Sequence, residues 1–438
     1  MKKTSLAILI FFLILMVSHS VAVKEPDKTI GVNVVLNTHI SDAVLVDLGN
    51  YGKVLDLIYE INALTMKTKK SVLPTIQALP YVAAAHPDAE RQGIPVDTVL
   101  AEDFIDGLST WNLDAINVTD YGFDNRTVAY DGSGVYVAVL DTGLLQNWRQ
   151  YFPDERIATE YAVCFGGGGG YMGTVSVQPN KWERDTNSHG THVTSTILGY
   201  DFYGNPINGV APKADVIPVK VLNQTGWGWS SVIARGIVYV AELKDGPLTG
   251  CPVVVNMSLG GSVLDPMEQA AIDYAISKGV IIVASAGNRG TQGMGYPGGY
   301  APVISVASAG WMYEFLTSDW WWNLNVPDPT NPAQFYISDS SGRELAGQDL
   351  DVTAPGRWIV GPYQVQMGKA SYYFLSGTSM ASPHVAGLVA LMLQKNPALT
   401  ASQAEAILET TALELTYYNS YEQGSGLIDV ESALTNTP

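Results

Sequence analysis

Gly134-Val135-Tyr136-Val137-Ala138-Val139-Leu140 runs directly into Asp141-Thr142-Gly143. The run is nearly continuous in apolar side chains, which marks a strand covered on both faces. Four more runs share that character, at 216–222, 253–256, 280–285 and 303–306. Amphipathic segments lie between them and predict helices over 192–198, 231–243 and 267–278. Apolar strands alternating with helices predict an α/β chain, a parallel sheet in a three-layer arrangement. Asp141 then falls at the C-terminal edge of a parallel strand, where open sheets carry their sites.

Outward from that core, the 438 residues are 47% hydrophobic and 15% charged, the profile of a packed globular protein. The formal net charge of −18 argues against nucleic acid and anionic membranes as partners, since both need clustered Lys and Arg. Lys2-Lys3, an apolar run from Leu6 to Val17 and the small residues that follow have the form of a secretory signal over 1–22. An exported, soluble product is expected. Residues 28–90 predict a separate small α+β unit in the order β-α-β-β-α-β, a split-βαβ, ferredoxin-like sandwich. A polar, irregular linker is expected over 90–104. Two segments have the character of insertions. Phe165 with Gly166–Gly170 predicts a mobile loop, lacking the Lys-Ser/Thr of a phosphate-binding loop. The aromatic-rich stretch 311–347 predicts an insertion with its own small core. Cys164 and Cys251 fit no zinc spacing, and a disulfide or two free thiols are both open.

The chemistry-bearing strings come in a fixed order. Asn187-Ser188-His189-Gly190-Thr191-His192 places His189 at a helix start after a polar loop. Ser258-Leu259-Gly260-Gly261 offers bare backbone after a strand, able to pair with an extended peptide. Ala286-Gly287-Asn288-Arg289 follows another strand end, where the Asn288 amide can face a developing oxyanion. Leu375-Ser376-Gly377-Thr378-Ser379-Met380-Ala381-Ser382-Pro383-His384 leads into an apolar helical pattern reaching about Leu393. Ser379 is thus set at the first turn, where free N–H groups and the helix dipole favour negative charge. Asp141-Thr142-Gly143 alone also matches aspartic proteases, but those need a second such triplet, which this chain lacks. A metallohydrolase using Asp141, His189 and His192 is a rival reading.

Taken together these strings resemble the subtilisin-like serine proteases (subtilases), over about 111–434. The resemblance also includes Asn208-Gly209-Val210-Ala211-Pro212 and Gly424-Ser425-Gly426-Leu427. It implies Ser379 as nucleophile, His189 as general base and then acid, Asp141 as orienter of the imidazole, and Asn288 as oxyanion donor. It implies substrate contacts at Ser258 and Gly260, a pocket floor at Gly295, and Arg289 at that pocket's rim. It further implies a zymogen: signal 1–22, inhibitory propeptide 23–100, catalytic domain 101–438, with self-cleavage somewhere in 90–106. Structural calcium is expected, with Asp154 as candidate ligand. Protein or peptide substrates, the chain's own propeptide and a monomeric state complete the expectation. A catalytically inactive, binding-only subtilase is the alternative.

Overall fold

The computed structural model describes residues 27–93, 97–100, 110–120, 126–169, 173–314, 326–327, 330–364 and 371–438. The expected signal segment 1–22 lies outside them. The N-terminal unit runs β1 (Thr29–Leu36), α1 (Asp42–Gly49), β2 (Gly52–Ile58), β3 (Ala63–Lys69), α2 (Leu73–Gln77) and β4 (Val82–Pro87). Its antiparallel sheet has the order β2-β3-β1-β4. Val32, Val34, Leu48, Leu64, Met66 and Ile76 are fully buried and form its own core.

Two short strands, β5 (Glu90–Gln92) and β6 (Asp97–Leu100), and a helical turn α3 (Trp111–Asp114) lead into the main body. There β7 (Tyr136–Asp141), β8 (Val163–Gly166), β9 (Ser176–Val177), α4 (His189–Leu198), the hairpin β10 (Gly199–Phe202) and β11 (Asn205–Asn208), β12 (Asp215–Lys220), β13 (Trp227–Trp229) and α5 (Ser230–Asp245) follow. The chain continues through β14 (Val253–Met257), α6 (Pro266–Ser277), β15 (Val280–Ser285), β16 (Ile304–Trp311), β17 (Phe335–Ile337), β18 (Val352–Pro355), β19 (Ile359–Pro362) and β20 (Tyr372–Ser376). Helices α7 (Thr378–Lys395) and α8 (Ala401–Thr411) come after it.

The main sheet has nine strands in the order β17-β16-β15-β14-β7-β12-β8-β9, with β18 beside β16. From β16 to β8 every pairing is parallel. The apolar runs are continuous because both sheet faces are covered. Val137 and Val139 of β7 join the core under α4 and α7. Ala138 and Leu140 join the core under α5 and α6. The same alternation recurs in β15, with Ile281 and Val283 on one side and Ile282 and Ala284 on the other. Strands β7, β14 and β15 are adjacent, so the segments after Asp141, Met257 and Ser285 leave the same sheet edge together.

Three sequence expectations are corrected. The linker at 90–104 is not irregular at its start: Glu90–Gln92 is a strand, because cleft backbone supplies partners that the sequence does not show. The glycine loop is not free over its described part, since Gly169 donates its N–H to Asp88 Oδ2 at 2.7 Å. The stretch 311–347 does not keep a core of its own. Trp311, Val326, Phe335 and Ile337 are buried in the main core, and β17 pairs with β16. Trp320–Trp322 lie outside the described residues. Cys164 and Cys251 are both free thiols.

Candidate active site

Asp141 ends β7 and His189 opens α4, and both are fully buried. His189 Nδ1 lies 2.8 and 2.9 Å from the two Asp141 carboxylate oxygens. The contact is built from below. The Thr142 hydroxyl donates to Asp185 Oδ2 at 2.9 Å and accepts from Gly190 N–H at 2.9 Å. Asp185 in turn takes the N–H groups of Asn187 and Ser188. Strand end, loop and helix start are thereby tied to one another. Burial pushes the Asp185 carboxyl up to about 6, opposed by the nearby Lys220 ammonium. Lys220, itself buried and lowered by that burial, donates to the Thr142 carbonyl.

Ser379 is the second residue of α7, so its backbone N–H has no acceptor within the helix. Pro383 sits inside that helix. It has no N–H for the carbonyl four residues back, that of Ser379. The Ser258 hydroxyl takes the place, donating to Ser379 O at 2.8 Å. Asn256 Nδ2 donates to Ser258 Oγ at 3.1 Å, and Ser382 Oγ donates to Asn256 Oδ1 at 2.7 Å. Ser258 thus serves α7 as well as the cleft. The Ser379 hydroxyl donates to the Ser258 carbonyl at 3.2 Å, and His189 Nε2 is buried with no partner. Asp141 and His189 are thus joined at Nδ1, while the Ser379 hydroxyl is engaged by the Ser258 carbonyl and not by His189.

Asn288 Oδ1 accepts from both the N–H and the hydroxyl of Thr378, each at 3.0 Å. This fixes which end of the amide is engaged and leaves Nδ2 for the cleft. A cavity of about 530 Å³ is lined by Gly260, Ser285, Gly287, Asn288, Arg289, Gly295 and Ser379 among others. Of the predicted substrate contacts, Gly260, Arg289 and Gly295 line this cavity together with Ser379, and Ser258 does not.

The cleft holds a peptide strand. Gln92 and Gly260 exchange both backbone hydrogen bonds at 3.0 Å, and β5 pairs antiparallel with β13 on its other side. Gly93 donates its N–H to Gly226 O at 3.0 Å. A Cβ on Gly93 would lie 3.1 Å from Ser258 O and 3.3 Å from His189 Cε1. Residues 90–93 thus lie as the central strand of three, directly beside the Asp141–His189 pair.

Two other histidines are spent elsewhere. His192 Nε2 faces the Ile359 carbonyl at 3.0 Å, and burial pushes its ring down to about 3. It does not join His189 and Asp141 as a ligand set. His384 lies between Met380 O and Asn112, with burial pushing it down to about 4. For metal, Asp154 is a correction: its side chain is 69% exposed and paired with Arg149 Nε at 2.8 Å. It lies in a surface turn, Asp154–Arg156, and Arg149 also reaches Glu183 Oε2 at 3.5 Å. Among the described residues, Asp349, Asp351 and Glu405 bring carboxylate oxygens within 4.8 Å of one another. Asp351 is buried, its Oδ2 is held by the Ser305 N–H and hydroxyl, and its Oδ1 has no partner. Burial, with Glu405 and Asp349 adding, pushes Asp351 up to about 7. An orphaned buried oxygen among three carboxylates fits a hard cation.

Fold and site together place the chain among serine hydrolases built on a parallel α/β sheet. It belongs to the subtilases, the Subtilase family model matching residues 132–427. It is a subtilisin-like serine endopeptidase. Subtilisin DY of Bacillus licheniformis is 34% identical over 308 residues, 69% of this chain and 92% of that protein. Subtilisin E of Bacillus subtilis (strain 168) is 36% identical over 311 residues, covering 69% and 66%. Among solved structures, fervidolysin from Fervidobacterium pennivorans, described as a keratinolytic enzyme related to subtilisin, shares the fold with a TM-score of 0.68 at 23% identity. That match covers 95% of this chain, which spans 62% of the fervidolysin chain. Sphericase matches at a TM-score of 0.54 and 30% identity, covering 73% of this chain and 98% of that one.

Sequence reasoning missed Thr142, Asp185, Asn256, Thr378 and Ser382. Four are small polar residues that look like turn or helix-cap residues, and their partners lie far off in the chain. Asp185, four residues before His189, carried the one usable signal: an Asx residue just ahead of a helix start.

Proposed function

We propose that the chain is made as an exported precursor and cuts peptide bonds by a Ser379–His189–Asp141 relay. In the attack, Ser379 Oγ bonds to the substrate carbonyl carbon and gives its proton to His189 Nε2. The carbonyl oxygen becomes an anion, held by Asn288 Nδ2 and the Ser379 backbone N–H. His189 then hands the proton to the departing amine, leaving an acyl-enzyme. Water repeats the sequence and frees the acid. Asp141 keeps the His189 proton on Nδ1 and stabilises the cation formed in between.

The observation that carries this reading is the strand 90–93 seated across Gly260 and β13 beside His189. A cleft that binds its own chain as a strand binds substrate the same way. The same seat supports residues 23–100 as a propeptide that blocks the cleft until cut within 90–106, with 101–438 as the catalytic domain. Among the described residues no helix is long and apolar enough to cross a membrane. The sequence of 1–22 and the subtilisin relatives support an extracellular protein acting as a monomer. Asp349, Asp351 and Glu405 would hold calcium, whose charge supplies cohesion there and takes no part in the chemistry. Arg289 at the rim of the 530 Å³ cavity repels Lys and Arg from it, leaving room for large apolar side chains.

Purified protein should hydrolyse casein and lose that activity to a serine-directed phosphonate. A folded, processed chain inert to both would favour the binding-only alternative.

A further inference from the structure

The buried arginine of the cleft strand is the feature that the catalytic reading does not use. Arg91, on β5, has a fully buried side chain, and so does Glu268 on α6. Arg91 Nε donates to Glu268 Oε2 at 2.8 Å, and Nη2 donates to the same oxygen and to Val263 O at 3.0 Å. Nη1 donates to Glu90 O at 2.9 Å. The guanidinium fits against Gly261, where a Cβ would lie 2.7 Å from Nη1. Any side chain at 261 would therefore displace it. Glu268 Oε1 is buried without a partner, so the carboxylate has a second oxygen free for an N–H fork.

Glu268 is costly where it stands. Its neighbours on the buried face of α6 are Met267, Ala271, Ile272 and Ala275, all apolar. With β5 seated, a carboxylate buried there without a cation would be strongly disfavoured, and Arg91 supplies that cation. In the register of β5, Gly93 lies beside His189, and the proposed attack on a strand bound in this register is taken to fall one position further on. Arg91 therefore marks the fourth residue on the acyl side of a scissile bond.

Resting on the proposed function, we infer that Glu268, with Gly261 and the Val263 carbonyl, forms an arginine-selective substrate subsite for that fourth residue. The N-terminal unit fills this subsite with Arg91, and a substrate inherits it when the unit leaves. Arginine is selected over lysine because one planar fork satisfies both Glu268 and the Val263 carbonyl, which a point charge does not.

The test uses protein matured from the full chain and tetrapeptide anilides X-Ala-Ala-Phe, with X as Arg, Lys, citrulline, Leu or Ala. Arg should exceed Ala, Leu and citrulline in kcat/KM by at least about tenfold, as for a desolvated charge pair. Citrulline keeps the shape and drops the charge, so the wild-type panel decides without any variant. Glu268→Gln and Glu268→Leu should level Arg with Ala while cutting the Ala peptide at the wild-type rate. Arg no better than citrulline or Leu in wild type would overturn the subsite, as would an arginine preference that survives Glu268→Gln. Failure to cut any of the peptides would instead overturn the protease reading beneath it.

Discussion

Replacing Gly190 by Ala tests whether the Asp141–His189 contact is set by backbone packing. Gly190 is the second residue of α4, immediately after His189. A Cβ there would press into the Gly143 carbonyl oxygen, closer than any real contact, and lie 3.2 Å from both Asp141 Cβ and Asp141 Oδ1. Both neighbours are held: Gly143 follows the strand end, and Asp141 is paired in β7. To regain ordinary carbon–oxygen separation, α4 must move off β7 by about 1 Å. A displacement of that size between reacting groups costs on the order of 10²-fold in turnover. Overpacking a filled site adds about 1–3 kcal/mol of destabilisation. In an open helix the same change would stabilise by up to about 1 kcal/mol, so the expected sign is opposite to propensity. Steady-state kinetics on a peptide anilide should show kcat down about a hundredfold and KM little changed, with melting temperature lowered. Wild-type kcat together with a raised melting temperature would refute the packing argument.

Other expectations follow from the same contacts. Ser379→Ala protein should accumulate whole, and N-terminal sequencing that finds it processed within 90–106 in pure solution would exclude self-cleavage. Chelation should lower the melting temperature, calcium should restore it, and Asp351→Asn should abolish the response; an unchanged calcium response in that variant would remove the cluster from consideration. A peptide panel varied at the residue supplying the attacked carbonyl should be cut poorly after Lys and Arg, and best cleavage after Lys would refute the role of Arg289. Burial raises the Asp88 carboxyl above 3.8, with Ser231 and Ser230 opposing and Asp265 adding, and Glu268 and Arg91 lie in the same interface. A raised carboxyl favours docking while protonated, so docking of the N-terminal unit should weaken as pH rises through that elevated value. In Ser379→Ala protein the urea midpoint of that unit should fall with pH, and Asp88→Asn should flatten the trend; an equal slope in both would rule Asp88 out.

Asp141 and Asn288 were legible because each follows an apolar strand, and His189 and Ser379 because each opens a helical pattern, while their roles came from the resemblance of the strings around them. What the sequence hid were groups whose partners lie far away. Ser258 and Ser379 are 121 positions apart, and Asn256 and Ser382 are 126 apart. Nothing local to any of them signals a bond. Pro383 shows the limit from the other side, since local rules have it break a helix. The helix survives because a serine from another strand end supplies the missing donor.

The start of the linker failed for the same reason, and the failure has consequences for function. Glu90-Arg91-Gln92 has the composition of a solvated connector. Arg91 is nevertheless among the most completely buried side chains, because Glu268 waits 177 positions downstream. Isolated charges are classified by sequence as exposed, whereas pairing is decided by the fold. If residues 23–100 act as the proposed propeptide, a segment that is to leave the cleft gains from binding there through a charge pair and backbone bonds rather than apolar area. Such contacts lose strength when water enters, while packed apolar area does not. On the proposed propeptide role, the residues that made this segment look like a linker are the ones that would let it be a removable strand.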